Sequence, residues 1–206
     1  MSLPIAGKPR KGLLVSKMTG KLDGLQAINT NSLTNVFCQA MRKTSAICKD
    51  CYSWAMLTGS RKNCAEPWER NGGILSSGPL PARDIPRIDT VLGRFQAHGE
   101  LINRQHAANL LEIARSNPDT RFGFWTKLPG FVRGMEIPEN VTLVYSNPIV
   151  DRIMQQPPKG FHKVFNCVTD DRPEINCGPL KCRDCKMCYG RTTGSAVIVE
   201  KVKVRT

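Results

Sequence analysis

No apolar run in this chain approaches the roughly 20 residues that a membrane-spanning helix requires, so no membrane anchor is expected. Residues Met1 to Lys8 contain no apolar core of a secretion signal, and export is not expected either. The chain lacks G-x-G-x-x-G, a Walker loop and a nucleophile elbow, which sets aside the common nucleotide-loop and serine-hydrolase chemistries. It has no internal repeat and no low-complexity segment. Its three histidines, His98, His106 and His162, have no metal-ligand spacing, and His106 is expected on a helix surface. Acids are scarce: 17 Asp and Glu stand against 30 Lys and Arg, for a net charge of +13.

Cysteine is plentiful by contrast. Nine cysteines form an odd set, and without a secretion signal they read as metal ligands in a reducing, cytoplasmic compartment before they read as disulfides. Four fall within one short basic stretch, Cys177-x4-Cys182-x2-Cys185-x2-Cys188. A single zinc usually takes two separated C-x2-C knuckles, because its ligands occupy the corners of a tetrahedron. The C-x2-C-x2-C run lays three sulfurs along one curved loop, which suits three irons of a 4Fe-4S cubane, with Cys177, Cys167 or a more distant cysteine for the fourth. Zinc remains the alternative.

A second set, Cys38, Cys48 and Cys51, stands at a loop-to-helix junction. Three thiolates there hold a cubane with one iron open, and Cys64 as a fourth ligand would close it. One cluster or two are both compatible with the spacing. Cysteines that pack as small buried hydrophobes are the plainer reading of one or two members.

Charge follows the cysteines. Residues 1–62 carry ten Lys and Arg against two acids, residues 63–180 thirteen against thirteen, and residues 181–206 seven against two. Two sources explain basic ends: compensation of anionic clusters, or a polyanionic partner such as nucleic acid. No recognition helix or aromatic ribbon accompanies the charge.

The pattern along the chain predicts a single α/β domain over residues 1–206, a partial barrel or an open, mainly parallel sheet with cysteine-rich metal-binding loops near both ends. Residues 1–30 read as a basic extended arm and 167–190 as a cysteine-rich cluster loop. Strands are expected at Leu92–Ala97, Arg121–Thr126, Val141–Tyr145, His162–Val168 and Ala196–Val202. The clearest helix runs from Leu101 to Ser116, a second opens near Ala65, and a short one is expected at Pro148–Gln155. Pro79, Pro81 and Pro86 mark a loop. His98-Gly99-Glu100 follows a strand and precedes the best helix, where α/β folds place ligands; Glu100 is a candidate for a substrate ammonium or a cofactor, and a plain strand-to-helix turn is the alternative. Trp125-Thr126-Lys127 and Tyr145-Ser146-Asn147 end strands on the same rim.

The order Cys48-x2-Cys51-Tyr52, Phe95-Gln96-Ala97-His98-Gly99-Glu100, Ile113 to Pro118, Phe124 to Lys127 and the Cys177–Cys188 loop resembles the phage family called gene product 88. That family looks like a reduced relative of radical S-adenosylmethionine enzymes with a partial α/β barrel. The resemblance implies cysteine-bound iron–sulfur chemistry in the cytoplasm of an infected bacterium, with S-adenosylmethionine as a further cofactor near Gly99 and Glu100. Those enzymes usually carry C-x3-C-x2-C and Gly-Gly-Glu, whereas here Cys38 stands nine residues before Cys48 and His98 replaces the first glycine. Three functions are therefore expected in competition: an iron–sulfur enzyme acting on nucleic acid or a nucleotide, a zinc- or cluster-stabilised nucleic-acid-binding module without catalysis, and a protein that binds a host factor through its basic arms.

Overall fold

The computed structural model describes residues 12–44 and 46–202, so the first eleven residues of the predicted arm lie outside the described residues. Among the described residues seven strands form one sheet in unbroken sequence order: β1 (Val15–Lys17), β2 (Gln26–Ile28), β3 (Leu92–Phe95), β4 (Arg121–Thr126), β5 (Val141–Ser146), β6 (Lys163–Val168) and β7 (Val197–Lys201). Only β1 runs antiparallel to its neighbour; β2 to β7 are parallel. The sheet is open, mostly parallel, and edged by β1 and β7.

A parallel sheet must be covered on both faces, and its central strands read accordingly as continuous buried runs. On one face Phe95, Phe122, Phe124, Val141 and Leu143 meet α4 (Ala65–Ser77) and α5 (Arg104–Arg115) through Leu75, Leu110, Leu111 and Ala114. Asn103 caps α5 by accepting from His106 N–H at 2.9 Å. Asn117 stops it, donating to Ile113 O and Pro86 O and accepting from Ile88 N–H, which ties the proline loop to the helix end.

The other face carries Leu25, Leu92, Val144, Phe165, Cys167 and Ile198 and is covered by the cysteine-rich segment, through Cys188 and Tyr189. Gly123 makes this possible: a Cβ there would lie 3.0 Å from the Tyr189 ring and 3.2 Å from Cys188 O. Helices α1 (Val36–Thr44), α2 (Ala46–Lys49) and α3 (Tyr52–Thr58) follow β2, α6 (Pro129–Val132) follows β4, and α7 (Cys182–Cys185) is one turn within the cysteine segment. Among the described residues no helix is long and apolar enough to cross a membrane.

Three expectations need correction. Residues 12–30 are not an extended arm but form β1, a short turn and β2, because Leu25, Ala27 and Ile28 are buried in the sheet. Pro148–Gln155 is irregular rather than helical: Asn147 Oδ1 accepts from Ile149 N–H, an Asx-type turn that competes with helix, and Asp151 adopts φ +62°. His106 is fully buried, not on a helix surface; its Nδ1 accepts from Ile102 N–H and its Nε2 lies 2.9 Å from Gln96 Nε2.

Candidate functional site

The C-terminal ends of the parallel strands open into a cavity of about 620 Å³, the position where parallel α/β sheets bind ligands. Its walls include Gln96 to Glu100 after β3, Thr126 and Lys127 at the end of β4, Ser146 at the end of β5, and Glu200 to Val202 at the end of β7. The Trp125-Thr126-Lys127 rim expected from sequence is thus present; of Tyr145-Ser146-Asn147, only Ser146 reaches the cavity.

The turn at His98-Gly99-Glu100 joins this rim to the N-terminal cysteines. Gly99 has φ +82°, and a Cβ would stand 2.2 Å from Thr30 Oγ1, so the β3 turn and the Asn29–Asn35 loop meet where only glycine fits. That loop is polar yet buried, and its side chains serve as connectors. Asn35 Nδ2 donates to Glu100 O at 2.9 Å while Asn35 Oδ1 accepts from Cys38 N–H at 3.0 Å, setting Cys38 against Glu100. Ser53 of α3 bridges His98 Nδ1 and Ser32, and Tyr52 donates to Ala97 O. These contacts hold the first turn of α3, and with it Cys51, at the end of β3.

Cys38, Cys48 and Cys51 accordingly line the cavity. Burial pushes the Cys38 thiol up to about 12, and the nearby Glu100, Cys51 and Cys48 push the same way. Cys64 does not line it; its Sγ lies 3.9 Å from Asn63 Oδ1 at the start of α4.

Glu100 is 4% exposed and densely bonded. Its Oε1 accepts from Leu101 N–H at 2.9 Å and Thr126 Oγ1 at 2.7 Å, and its Oε2 accepts from Lys127 N–H at 2.8 Å. Burial pushes the carboxyl above its ordinary value, while Lys127 and these donors pull it down. Three of about four lone-pair directions are occupied, so Glu100 fixes β3 to β4 and retains one acceptor for the cavity.

The second cysteine set reaches the same cavity from the far end of the chain. Cys182 and Cys185 bound the single turn of α7, and Lys186, with φ +57°, reverses the chain into the Met187–Tyr189 turn that buries Cys188. Cys177, Cys182, Cys185 and Cys188 all line a smaller pocket of about 160 Å³, and Cys167, Cys177, Cys182 and Cys188 also line the large cavity. Burial pushes Cys167 and Cys188 up to about 12 and raises Cys177 and Cys182. All nine cysteines are outside disulfides. Among the described residues no three His, Cys, Asp or Glu side chains meet at a point that could hold one metal ion. The sulfurs line walls instead.

The lining is electropositive. Lys21, Arg42, Arg61, Arg94, Lys127 and Lys201 face Asp50, Glu100 and Glu200. Lys21 Nζ is 2.6 Å from Glu200 Oε1 and 3.1 Å from Cys177 Sγ, Arg42 lies over Trp54, and Lys127 Nζ donates to Ser146. The sequence reading missed Arg94 and Tyr189. For Arg94 the signal was available: a lone charge inside Leu92-Gly93-Arg94-Phe95, a strand with both faces buried.

A family model described as Gene product 88 matches residues 10–174, which takes in Cys38, Cys48, Cys51 and the Glu100 turn and ends before Cys177. No curated protein and no solved structure matches the chain.

Proposed function

This chain belongs to the phage gene product 88 family, and from that premise we propose that it is an iron–sulfur cluster-binding protein of the infected bacterial cytoplasm. One observation carries the reading: cysteines from both ends of the chain line a single cavity at the C-terminal ends of the parallel strands. Sulfurs that line a wall rather than meet at a point suit a cubane, in which each cysteine binds its own iron, better than a tetrahedral zinc, whose four sulfurs share one ion. Cys177, Cys182, Cys185 and Cys188 would hold one such cluster. Cys38, Cys48 and Cys51 would hold another, leaving an iron accessible from the cavity.

Strands in unbroken sequence order have the connectivity of an incomplete α/β barrel, which supports kinship with radical S-adenosylmethionine enzymes. A cluster held by Cys38, Cys48 and Cys51 would supply one-electron chemistry to a ligand bound in the cavity. In this chain Glu100 has one acceptor left for the amino group of S-adenosylmethionine, and Gly99 allows close backbone approach. Tyr52 and the cavity cations that no carboxylate pairs among the described residues, Arg42, Arg61 and Lys127, suit a flat, anionic substrate such as a nucleotide.

The test is anaerobic purification with iron, acid-labile sulfide and zinc analysis. Brown protein containing iron and sulfide is expected, with Cys182→Ser and Cys51→Ser each removing one share and Cys64→Ser removing none. Colourless protein with stoichiometric zinc overturns the cluster reading.

A nucleic-acid-binding module is favoured by a different observation. Arg42, Lys43, Lys49, Arg61 and Lys62 belong to no ion pair among the described residues, and Arg42 and Arg61 line the cavity. Affinity for DNA or RNA that falls steeply with salt would support that role, and no binding at low salt would remove it.

A further inference from the structure

We propose that Arg94 is the buried counter-charge of the C-terminal cysteine centre, its guanidinium neutralising the thiolates that Cys182 and Cys188 become when they bind metal. This rests on the reading that those cysteines bind metal, but not on which metal, since four thiolates around zinc or around a cubane leave a net negative charge alike.

The placement comes from the sheet. Arg94 lies on β3 directly opposite Gly123 of β4. Against Gly123, where a side chain would otherwise stand, lie the Tyr189 ring and the Cys188 carbonyl. Arg94 therefore sits beside the point where the cysteine segment docks on the sheet, and it lines the large cavity together with Cys182 and Cys188.

The surroundings offer it no other anion. Arg94 is 7% exposed, its guanidinium lies 3.5 Å from the centroid of the Trp125 ring, and it has no carboxylate partner among the described residues. Among the described residues its buried Nε and the buried Trp125 Nε1 lack an acceptor, and the Tyr189 phenol beside it, pushed up by burial, is pulled back by the Arg94 charge and a hydrogen bond from it. The guanidinium thus has a neutral phenol and an indole beside it but no anion paired with it among the described residues. Of the three cavity carboxylates, Glu100 is taken by Leu101, Thr126 and Lys127, Glu200 by Lys21, and Asp50 forms no ion pair with Arg94 among the described residues. What remains are the thiols.

Arginine cannot shed its charge, and a buried cation without a counter-ion is strongly unfavourable. Metal binding removes the thiol protons and creates the missing anions in place. The arrangement is consequently poor without metal and good with it, and this gives a sign reversal that a structural role would not produce.

The experiment uses the full chain carrying Cys48→Ser and Cys51→Ser, so that only the C-terminal set responds, with Co²⁺ as the probe. Arg94→Met should raise the melting temperature of metal-free protein, lower that of Co²⁺-loaded protein, and weaken Co²⁺ about tenfold or more, while Arg94→Lys keeps most of the affinity. Equal destabilisation of both forms, or Co²⁺ affinity unchanged in Arg94→Met, overturns the proposal: the first makes Arg94 structural, the second assigns it to an anionic ligand of the cavity. If the parent chain takes up no Co²⁺, the same comparison is made on iron and acid-labile sulfide content after anaerobic purification, and absence of both overturns the metal reading and the proposal with it.

Discussion

The Lys21 ammonium lies 3.1 Å from Cys177 Sγ and 2.6 Å from Glu200 Oε1, joining the turn between β1 and β2 to the cysteine segment and β7. Through this contact one lysine is shared between a carboxylate and a sulfur from the opposite end of the chain. Burial alone would lower the pKa of Lys21, but the Glu200 hydrogen bond and Cys177 outweigh it and hold the pKa above its ordinary value. A lysine raised in this way contributes its stability below about pH 10.5 and loses it only as the pH climbs through the folded value. Lys21→Met should therefore cost about 1 kcal/mol in urea unfolding, equally at pH 7 and pH 9. Combining it with Glu200→Gln should cost less than the two separate losses added together. A fully additive double mutant would mean that the pair is not coupled.

Gly99 is the corner on which the candidate site turns. Alanine there would combine a left-handed backbone with a Cβ 2.2 Å from Thr30 Oγ1 and 2.5 Å from Thr30 O, and the second contact is backbone that cannot rotate away. We expect Gly99→Ala to lose about 3 kcal/mol or more of stability, seen as a lower melting temperature or loss of soluble protein. Gly73 provides the control, because it lies inside α4 with nothing within 4 Å of a new Cβ. Gly73→Ala should stabilise by about 0.5–1 kcal/mol.

The reach of sequence reading differed between elements for physical reasons. Arg121–Thr126 was legible residue for residue because a six-residue β-rich run ends in Lys-Leu-Pro. Each of β1 and β2 has only three residues, too few for periodicity, and each exists because a neighbouring strand supplies its hydrogen bonds. Pro148–Gln155 looked helical in composition, but the Asn147 side chain captured the backbone first. His106 was misplaced because its partners, Gln96 and Ile102, come from outside the helix. The two cysteine sets were each visible as spacing. Their convergence on one cavity was not, because it depends on the sequential sheet order and on the missing side chain of Gly123.

Glu100 separates structure from chemistry. A glutamine in its place must present an NH₂ to one of the N–H or O–H donors that the carboxylate now accepts. Glu100→Gln should cost about 1–3 kcal/mol, measured by thermal unfolding, whereas Glu112→Gln on the surface of α5 should be near neutral. If Glu100→Gln is as stable as the parent, the three hydrogen bonds do not hold β3 to β4 in solution.

Acid should unfold this protein through its histidines. Burial lowers His98 and His162 to about 4 and His106 to about 3, from an ordinary value of 6.5. His106 Nδ1 and His162 Nδ1 each accept a backbone N–H, so protonating either nitrogen breaks a bond as well as charging a buried ring. Below pH 6.5 the unfolded chain takes up protons that the folded chain refuses, and stability falls as the pH drops toward 4. Each fully buried histidine contributes a slope of at most about 1.4 kcal/mol per pH unit, and half-buried His162 less. Glu100 opposes them: its raised pKa lets the folded state hold one proton that the unfolded chain has lost, so its share of stability falls as the pH rises. One carboxyl cannot cancel three histidines, and the net slope favours neutral pH. Urea midpoints measured from pH 7.5 to 5 should therefore fall, and His106→Gln should flatten the fall by about one proton's worth of slope. A midpoint that stays level across this range would show that these rings are protonated, and therefore solvated, in the folded protein.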